Sequence, residues 1–278
     1  MGGVLAKPFI KWVGGKRQLL RQFREFGLYP KEFDEQKNTY YEPFVGGGAV
    51  FFELAPPQAI ISDVNKDLIT TYEVVRDRVD ELIKSLRGHI NTKDYYLMMR
   101  AKNPAKMSDV EVASRFIYLN RTCFNGMYRV NSKGQFNVPY GKYIHPVICD
   151  ECNLRAASDA LKNVNVLYAD YHDAIASAKA GDFVYLDPPY YPLNATSSFT
   201  SYTKQGFLAK EQEELRDAYV ELSKRGCYVM ESNSNTEFIR KLYCNIDNVS
   251  IHEVYAARAI NANAYGRGKI KELVITNY

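Results

Sequence analysis

The sequence lacks the features of a membrane or secreted protein. No apolar run approaches the roughly 18 residues that a membrane-spanning helix needs, so we expect no membrane partner. Residues 1–6 have neither the basic flank nor the long apolar stretch of a secretory signal. The five cysteines are odd in number and scattered, which favours a reducing compartment over a disulfide framework. Together these absences predict a cytoplasmic protein.

Two common nucleotide-binding patterns and a zinc-binding pattern are also missing. Glycines 46–48 do not have the spacing of a GxGxxG dinucleotide fingerprint, and Arg17 follows Lys16 where a P-loop needs serine or threonine. Cys149 and Cys152 form a CxxC pair, but no second pair of ligands follows at matching spacing. We therefore expect neither a P-loop phosphate site nor a bound metal.

Basic and aromatic residues, by contrast, are plentiful. The chain has a net charge of +4 and 22 tyrosines, and basic residues are interleaved with aromatics and amides over residues 121–143. Arginine can read guanine through two hydrogen bonds, and aromatic rings can stack on bases or wedge between them. This stretch therefore favours nucleic-acid binding, with a solvated loop as the alternative.

Short apolar runs alternate with helical patterns along most of the chain. The predicted strands cover residues 40–45, 59–62, 164–169, 183–187, 228–231, 249–255 and 272–277. The predicted helices cover residues 16–26, 49–54, 65–86, 171–178, 210–224 and 236–243. This alternation predicts an α/β fold with a mostly parallel sheet and a ligand site at the carboxyl ends of its strands. The last two strands have no helix between them, so they should pair as a hairpin.

One region breaks the alternation. No buried strand is predicted between about residues 66 and 150, where helical patterns at 94–100 and 109–121 lead into the aromatic stretch. We therefore predict a catalytic domain of residues 1–65 and 151–278, and an inserted, mostly helical domain of residues 66–150.

The most informative motif is Asp187-Pro188-Pro189-Tyr190, at the end of the predicted strand 183–187. Two consecutive prolines cannot donate hydrogen bonds to a sheet, so the strand must end there. The Asp187 carboxylate and the Pro188 carbonyl can each accept one hydrogen of an exocyclic NH2 group, while Tyr190 can stack on the ring that carries it. The motif therefore suits a planar aromatic amine, and the alternative is a proline-rich turn that closes a strand.

A glycine-rich turn and a following acidic residue suggest a nucleoside site. Gly46 and Gly48 lie where the first strand meets a helix, and glycine lets the backbone approach a ligand closely. Asp63 follows the next strand, where a carboxylate can accept both hydroxyls of a ribose. The alternatives are a plain tight turn and, for Asp63, an N-cap of the following helix. Trp12 could form an aromatic wall, and Lys16 could neutralise a carboxylate on a ligand.

These motifs, in this order, resemble the Dam family of DNA adenine-N6 methyltransferases over nearly the whole chain. The matching segments are residues 9–20, 42–53, 125–129, 136–139, 187–190 and 192–193. The resemblance implies a seven-stranded, mostly parallel, Rossmann-like methyltransferase sheet with an antiparallel C-terminal hairpin, and makes the inserted helical domain a DNA-recognition domain. Aspartate at the first position of the tetrapeptide favours adenine N6, whereas serine would suggest cytosine N4 and asparagine a glutamine in a protein.

The resemblance also implies roles for the matching residues. The target adenine would be held by Asp187, Pro188, Pro189 and Tyr190. S-adenosylmethionine would be contacted by Trp12, Lys16, Pro43, Phe44, Gly46, Gly48, Asp63, Asp170, Tyr171 and Asp187. Double-stranded DNA would be contacted by Lys11, Phe124, Asn125, Met127, Arg129, Asn131, Pro139 and Tyr143.

Within the DNA set, individual positions match distinct tasks of the family. Lys11 and Arg129 match positions that read the guanines of GATC, and Met127 and Pro139 match positions that pack against the thymine region. Phe124 matches an aromatic wedge for which the family often has tyrosine, and a wedge needs only a ring.

The implied reaction is transfer of a methyl group from S-adenosylmethionine to adenine N6 in double-stranded DNA at GATC, by base flipping and direct in-line transfer without a metal. The alternatives are an adenine methyltransferase with another recognition sequence, a protein-glutamine methyltransferase, and a non-enzymatic nucleic-acid-binding module with a decayed cofactor site. The family also implies a DNA-associated protein encoded by a bacterium or phage, with a cognate restriction endonuclease as a candidate partner.

Overall fold

The computed structural model describes residues 5–193, 207–257 and 269–278. Its strands are β1 (Tyr40–Glu42), β2 (Ala59–Asp63), β3 (Val164–Tyr168), β4 (Phe183–Leu186), β5 (Tyr228–Ser234), β6 (Ser250–Ala257) and β7 (Lys269–Thr276). Its α-helices are α1 (Leu20–Glu25), α2 (Ala49–Leu54), α3 (Lys66–Asp77), α4 (Val79–Arg87), α5 (Lys93–Ala101), α6 (Asp109–Thr122), α7 (Glu151–Leu161), α8 (Tyr171–Ile175), α9 (Ala209–Lys224) and α10 (Glu237–Tyr243). Short 3-10 helices cover Lys16–Gln18, Pro104–Lys106 and Phe124–Gly126.

The seven strands form one sheet in the order β3-β2-β1-β4-β5-β7-β6. β4 is parallel to both of its neighbours, with Val184 opposite Tyr41 of β1 and Val229 of β5. β7 is antiparallel to both of its neighbours, with Leu273 opposite Asn233 of β5. The predicted α/β class, the mostly parallel sheet and the antiparallel pairing of the last two strands are therefore confirmed.

β4 occupies a central place because its sequence suits burial on both faces. All four of its residues, Phe183–Leu186, are fully buried, as expected for a parallel strand between two others. The buried Asp182 precedes the strand, and its carboxylate accepts hydrogen bonds of 2.9 Å from the backbone N–H groups of Thr39 and Lys179. The strand ends before Pro188, which has no N–H to donate. β4 thus ends at Leu186, and Asp187 directly follows its carboxyl end.

The chain divides into two compact units. The first unit contains the described residues of Met1–Gly15, Val45–Pro57 and Ile61–Asp170. The second unit contains the described residues of Lys16–Phe44, Gln58–Ile60 and Tyr171–Tyr278.

Helix packing dominates the first unit. α3 packs against α6 and α7, and α4 packs against α6. Ser108 and Glu111 form a capping box at the start of α6, in which the Glu111 carboxylate accepts the Ser108 N–H at 2.9 Å. Beyond α6, a second small core forms around the buried side chains of Tyr96, Met99, Tyr118, Leu119, Cys123 and Val138. The region 66–150 is therefore mostly helical, as its sequence predicts.

Two details of this unit differ from the expectation. The single helix predicted for residues 65–86 is wrong, because Arg78 leaves the helical conformation (φ −138°, ψ 38°) and separates α3 from α4. Its guanidinium donates two 2.7 Å hydrogen bonds to Glu81, which lies in the acidic first turn of α4. Helix α7 was not predicted, and its N-cap is Asp150, whose side chain accepts the Asn153 N–H at 3.2 Å.

The second unit has an apolar core between its part of the sheet and its helices. The cluster includes residues of β4, β5 and β7 together with residues of α8, α9 and α10, among them Val184, Leu215, Val229, Ile239 and Ile275. This core fixes the strand ends that carry the candidate site. Within the described residues, no helix combines the length and the apolar character needed to cross a membrane.

Candidate active site

Asp187 directly follows β4 and forms an ion pair with Lys16 of the same unit. The Lys16 Nζ atom lies 2.6 Å from Oδ1 and 2.8 Å from Oδ2 of Asp187. The lysine side chain is 4% exposed and the aspartate side chain 19%, so part of the carboxylate stays accessible. Burial raises the pKa of Asp187 to about 6, although Lys16 opposes that rise. At neutral pH the carboxylate is ionised and retains lone pairs for a further donor.

Tyr190 is held in place through its hydroxyl and its ring. The hydroxyl donates a 2.9 Å hydrogen bond to Oε2 of Glu272 on β7. The Lys16 Nζ atom lies 4.7 Å from the ring centroid, within the range of a cation–π contact. Burial and the nearby charges of Asp187 and Glu272 raise the pKa of Tyr190 well above its usual value, so the hydroxyl stays protonated. The ring therefore has a fixed orientation beside the Asp187–Lys16 pair.

A network of buried polar side chains is hydrogen-bonded to the proline segment. The Pro189 carbonyl accepts a 3.0 Å hydrogen bond from Nε2 of Gln212 on α9. Gln212 Oε1 accepts a 2.9 Å bond from Asn233 Nδ2, which also donates to Glu231 Oε1 at 2.9 Å. Burial raises the pKa of Glu231 to about 7. Glu231, Asn233 and Gln212 are each at most 1% exposed. Their hydrogen bonds thus connect β5 and α9 to the tetrapeptide.

These supporting residues were missed by sequence reasoning. Gln212, Asn233 and Glu272 come from α9, β5 and β7, and each lies more than 20 residues along the chain from its partner within residues 189–191. Their sequence neighbourhoods carry no motif, so only the fold brings them together.

Two aromatic rings follow strand ends elsewhere in the second unit. Pro43 and Phe44 come directly after β1, where Pro43 is buried and Phe44 is partly buried. The Phe44 ring lies 5.3 Å from that of Tyr171 with an interplanar angle of 31°. Tyr171 is buried at the start of α8, and the preceding Asp170 is exposed. Phe44 and Tyr171 could together form an apolar wall for a flat ligand.

Asp63 ends β2 in the first unit, and backbone groups hold its carboxylate. Oδ2 accepts the Gly46 N–H at 3.2 Å, and Oδ1 accepts the Asn65 N–H at 2.9 Å. Burial raises the pKa of Asp63 to about 6, while these backbone donors oppose the rise. The N-cap of α3 is Asn65, whose side chain accepts the Leu68 N–H. Asp63 is therefore not the helix cap, and its carboxylate remains a candidate ligand contact.

The glycine-rich turn fits closely against aromatic side chains of the same unit. Gly46 and Gly48 both have left-handed backbone conformations, with φ of 46° and 66°. A Cβ on Gly46 would lie 2.6 Å from the Trp12 ring, and one on Gly48 would lie 2.7 Å from the Tyr72 hydroxyl. That hydroxyl donates a 3.1 Å hydrogen bond to the Gly46 carbonyl. Both conformation and space therefore require glycine, and the turn is packed against Trp12.

Lys11, a predicted DNA contact, is anchored to α6. Its backbone N–H donates to Asn120 Oδ1, and its carbonyl accepts from Asn120 Nδ2, both at 2.8 Å. The Lys11 side chain crosses Gly126 (φ 64°), where a Cβ would collide with it. Its Nζ atom lies 5.1 Å from the ring centroid of Tyr143. The amine is thus presented on the exposed side of this segment.

Other predicted DNA contacts meet at the same segment. The Phe124 N–H donates to the Pro139 carbonyl at 2.9 Å, and both side chains are exposed. Asn125 has a left-handed conformation (φ 56°), and its N–H donates to the Tyr143 hydroxyl at 3.1 Å. Met127 is partly buried beside them. The structure therefore brings residues 124–127, 139 and 143 together at one exposed place in the first unit.

Arg129 and Asn131 lie on a small hairpin beyond that place. Arg129 is exposed, and its Nε atom donates to Asn137 Oδ1 at 2.7 Å. Asn131 Oδ1 accepts the Gln135 N–H at 3.0 Å and so closes the hairpin turn. Asn131 is therefore engaged in the local fold, whereas Arg129 remains accessible with its guanidinium oriented by Asn137.

No group of three or more histidine, cysteine, aspartate or glutamate side chains that could hold a metal occurs in the described parts of the chain. The five cysteines are free thiols.

Comparison with known proteins also indicates a DNA methyltransferase. A family model described as D12 class N6 adenine-specific DNA methyltransferase matches residues 12–260. A type II methyltransferase of Lactococcus lactis subsp. cremoris is 45% identical over 98% of this chain and 95% of its own length. A type II methyltransferase of Methanocaldococcus jannaschii is 46% identical over 98% and 99%. The DNA adenine methylase of Escherichia coli K12 is 34% identical over 96% and 94%.

The family model covers most of the chain, and each of these relatives is matched over nearly its full length. The resemblance first inferred from the Asp187–Tyr190 tetrapeptide and the glycine-rich turn is therefore confirmed. The chain belongs to the D12 class of N6 adenine-specific DNA methyltransferases.

Proposed function

We propose that this enzyme methylates the adenine of GATC in double-stranded DNA and uses S-adenosylmethionine as the methyl donor. The observation that carries the proposal is the ionised Asp187 carboxylate at the end of β4, paired with Lys16 and followed by two prolines and an oriented Tyr190 ring. This combination offers two hydrogen-bond acceptors and a stacking surface to an aromatic amine.

The residues proposed for the cofactor have the chemistry that it requires. The Asp63 carboxylate is held by backbone donors and can accept ribose hydroxyls. Trp12, Phe44 and Tyr171 offer apolar surfaces to the adenine and the chain of the cofactor. The Lys16 ammonium holds Asp187, and its positive charge would attract a ligand carboxylate. S-adenosylmethionine, when bound, supplies a methyl group activated by a positively charged sulfur.

Asp187 and the Pro188 carbonyl would orient the amine of the target base. An aryl amine is a weak nucleophile because its lone pair is delocalised into the ring. Acceptors that draw its two hydrogens out of the ring plane localise that lone pair on N6. Lys16 keeps Asp187 ionised at neutral pH, since it opposes the pKa rise caused by burial. Positioning and fixed charges would then supply most of the acceleration.

The target adenine has to leave the duplex before these groups can reach it. Flipping a base costs a few kcal/mol of stacking and pairing. Stacking on the Tyr190 ring, which Glu272 orients, would recover part of that cost. The exposed Phe124 ring would fill the place of the displaced base or wedge beside it.

Base reading is assigned to the exposed segment of the first unit. Lys11 and Arg129 would donate to the guanines of GATC, and Met127 and Pro139 would pack against its thymine region. Asn125 and Tyr143 would support that surface, because the Asn125 N–H bonds the Tyr143 hydroxyl. Asn131 would act through the hairpin turn that it closes.

The deciding experiment is transfer of labelled methyl groups from S-adenosylmethionine to two duplexes, one with GATC and one with a single guanine of that site changed. We expect label in the first duplex only. Label in both duplexes would retain the adenine chemistry and overturn the GATC assignment. Label in neither would overturn GATC and direct the search to other sites.

The Arg129→Ala variant tests the reading of one guanine. Losing a bidentate contact should reduce discrimination at that position by about 1–3 kcal/mol. Arg21→Ala is the matched control, because Arg21 is an exposed arginine of the second unit paired with Glu25. An equal loss on every duplex would instead make Arg129 a phosphate contact.

A restriction endonuclease with the same recognition sequence is proposed as a biological partner, since two relatives are named type II methyltransferases. We further propose that the enzyme works in the cytoplasm of a bacterium or in a phage-infected cell. Plasmid DNA methylated by the enzyme should resist an endonuclease that cleaves only unmethylated GATC. Complete cleavage would contradict the GATC assignment and, with it, a partner that cleaves GATC.

A further inference from the structure

We propose that Tyr128 couples DNA reading to cofactor binding, as a positioning residue inside the first unit. The inference rests on the proposed function, because it concerns the proposed cofactor contacts Trp12 and Asp63 and the proposed DNA contacts Met127 and Arg129. Tyr128 lies between the two DNA contacts in sequence, yet it is partly buried and its ring stacks on Trp12.

The Tyr128 ring belongs to an aromatic stack. It lies 5.5 Å from Trp12 with an interplanar angle of 23°, and 5.4 Å from Phe116 with an angle of 31°. Phe136 approaches it edge-on at 5.8 Å. Trp12 in turn packs on Gly46, where a Cβ would lie 2.6 Å from the indole. The reading segment is thus connected to the glycine-rich turn through ring contacts.

The pKa of the Tyr128 hydroxyl supports this connection. Burial is the main cause that raises the pKa of Tyr128 to about 12, the negative charge of Asp67 adds to it, and the Asn65 side chain lowers it by stabilising the ionised form. The Asn65 N–H donates to Asp63 at 2.9 Å. Asp63 also accepts the Gly46 N–H.

The contacts therefore form a continuous row from Asp63 through Gly46 and Trp12 to Tyr128. Closely packed neighbours resist displacement of one member without the others. Ordering the Asp63 carboxylate and the Trp12 ring should therefore order Tyr128 as well.

Movement of Tyr128 would be passed on to its neighbours in the chain. The Met127 carbonyl accepts a 3.2 Å hydrogen bond from Cys123 Sγ, and the Arg129 carbonyl accepts the Asn137 N–H at 3.0 Å. The residues on both sides of Tyr128 are thus held by hydrogen bonds. A shift of its ring would change where Met127 and Arg129 are presented.

By thermodynamic linkage, a cofactor that favours the DNA-reading arrangement must itself bind more tightly when DNA is present. We expect a GATC duplex to tighten binding of S-adenosylhomocysteine to the wild-type protein by about fivefold or more. In Tyr128→Ala the ratio of the two dissociation constants should fall to about one. Calorimetric titration with S-adenosylhomocysteine, with and without duplex, measures this ratio without any turnover.

The single tryptophan of the chain gives a second, independent readout. Its fluorescence reports on Trp12 alone, so a GATC duplex added without cofactor should change the emission of the wild-type protein. Tyr128→Phe keeps the ring and should keep this change. Tyr128→Ala should lose it while still binding the duplex, as followed by anisotropy of labelled DNA.

Melting curves establish that the variants are folded, and Tyr128→Leu replaces Tyr128→Ala if the alanine variant lacks a native transition. Tyr128→Ala or Tyr128→Leu with the wild-type ratio and emission change overturns the inference. So does a wild-type protein that binds both ligands independently. A wild-type protein that binds the duplex but not S-adenosylhomocysteine overturns the proposed function instead, and with it the inference.

Discussion

Asp63 in the first unit and Asp187 in the second both follow a strand, and burial raises the pKa of each to about 6. They differ in what offsets that burial. Asp187 faces the Lys16 ammonium, a side chain that a mutation can remove. Asp63 faces the backbone N–H groups of Gly46 and Asn65, which no side-chain mutation can remove.

Asp187 is a tunable carboxylate, because replacing Lys16 changes its pKa. Asp63 is a fixed carboxylate, because backbone groups hold it in place. The charge of Asp187 depends on its distance from one cation, which suits a group that must be ionised to act on a substrate. The orientation of Asp63 depends on the shape of the glycine-rich turn, which suits a group that only has to accept hydrogen bonds. We therefore expect changes at Asp187 to affect turnover and changes at Asp63 to affect affinity.

Asp187→Asn should give the largest effect. The amide keeps the shape of the carboxylate but replaces one acceptor with a donor and removes the charge that faces Lys16. We expect the kcat for methyl transfer to GATC duplex to fall at least about a thousandfold at saturating cofactor. Single-turnover transfer of labelled methyl groups measures the loss.

The control for that variant is Asp217→Asn, an exposed aspartate on α9. It should behave as the wild type, and both variants should keep the wild-type melting curve. A folded Asp187→Asn enzyme with more than about a tenth of the wild-type kcat would leave the proposed mechanism without its central group.

Lys16→Met tests whether Lys16 controls the ionisation of Asp187. Lys16 lowers the pKa of Asp187, so its removal should raise that pKa above about 6. Activity needs the ionised form, which is lost as the pH falls through the pKa. The acid limb of the kcat profile should therefore lie near pH 6 in the wild type and at higher pH in the variant.

Lys16→Arg keeps a cation and should keep the acid limb close to its wild-type position. The profiles are measured at saturating cofactor, because Lys16 is also a proposed cofactor contact. An unchanged acid limb in Lys16→Met would mean that Asp187 is not the group that titrates.

Asp63→Asn tests whether Asp63 contributes to cofactor affinity rather than to turnover. A hydrogen bond to a charged acceptor contributes about 1.5–3 kcal/mol, so the dissociation constant for S-adenosylhomocysteine should rise roughly 10–100-fold. The kcat at saturating cofactor should stay within about threefold of the wild type. Calorimetry and steady-state kinetics separate the two quantities, with Asp94→Asn as an exposed control in the same unit. A large fall in kcat would remove the distinction between the two carboxylates.

Gln212→Met should give the smallest effect. The thioether has a similar volume and no charge, but it cannot donate to the Pro189 carbonyl and is a weak acceptor for Asn233. The loss of these neutral hydrogen bonds, about 1–2 kcal/mol, should lower kcat by up to about tenfold with little change in cofactor affinity. Glu213→Gln, on the exposed face of α9, is the control. Equal kcat values for the two variants would show that the network behind the tetrapeptide does not affect turnover.

The sequence predicted those parts of the molecule that depend on local chemistry. The buried run 183–186 and the prolines after it fix the end of β4, and the glycines at 46 and 48 mark a turn that needs left-handed backbone. The family resemblance added roles for residues scattered between them.

The remaining features depend on contacts between distant segments. The break at Arg78 is invisible in the apolar periodicity, because α3 and α4 both present regular buried faces. The partners Gln212 and Glu272 carry no motif of their own. By sequence, Tyr128 is one more aromatic residue of the stretch 121–143, and only the fold distinguishes its ring, which stacks on Trp12, from the exposed ring of Phe124.

The bond between Tyr190 and Glu272 has an evolutionary consequence. The half-buried acid on β7 accepts the tyrosine hydroxyl, so the two positions should not drift independently. Where a relative has phenylalanine in place of Tyr190, the hydroxyl is gone, and we expect the acid at position 272 to be replaced by a neutral residue. Among relatives, the residue at position 272 on β7 should therefore vary together with the aromatic residue at position 190.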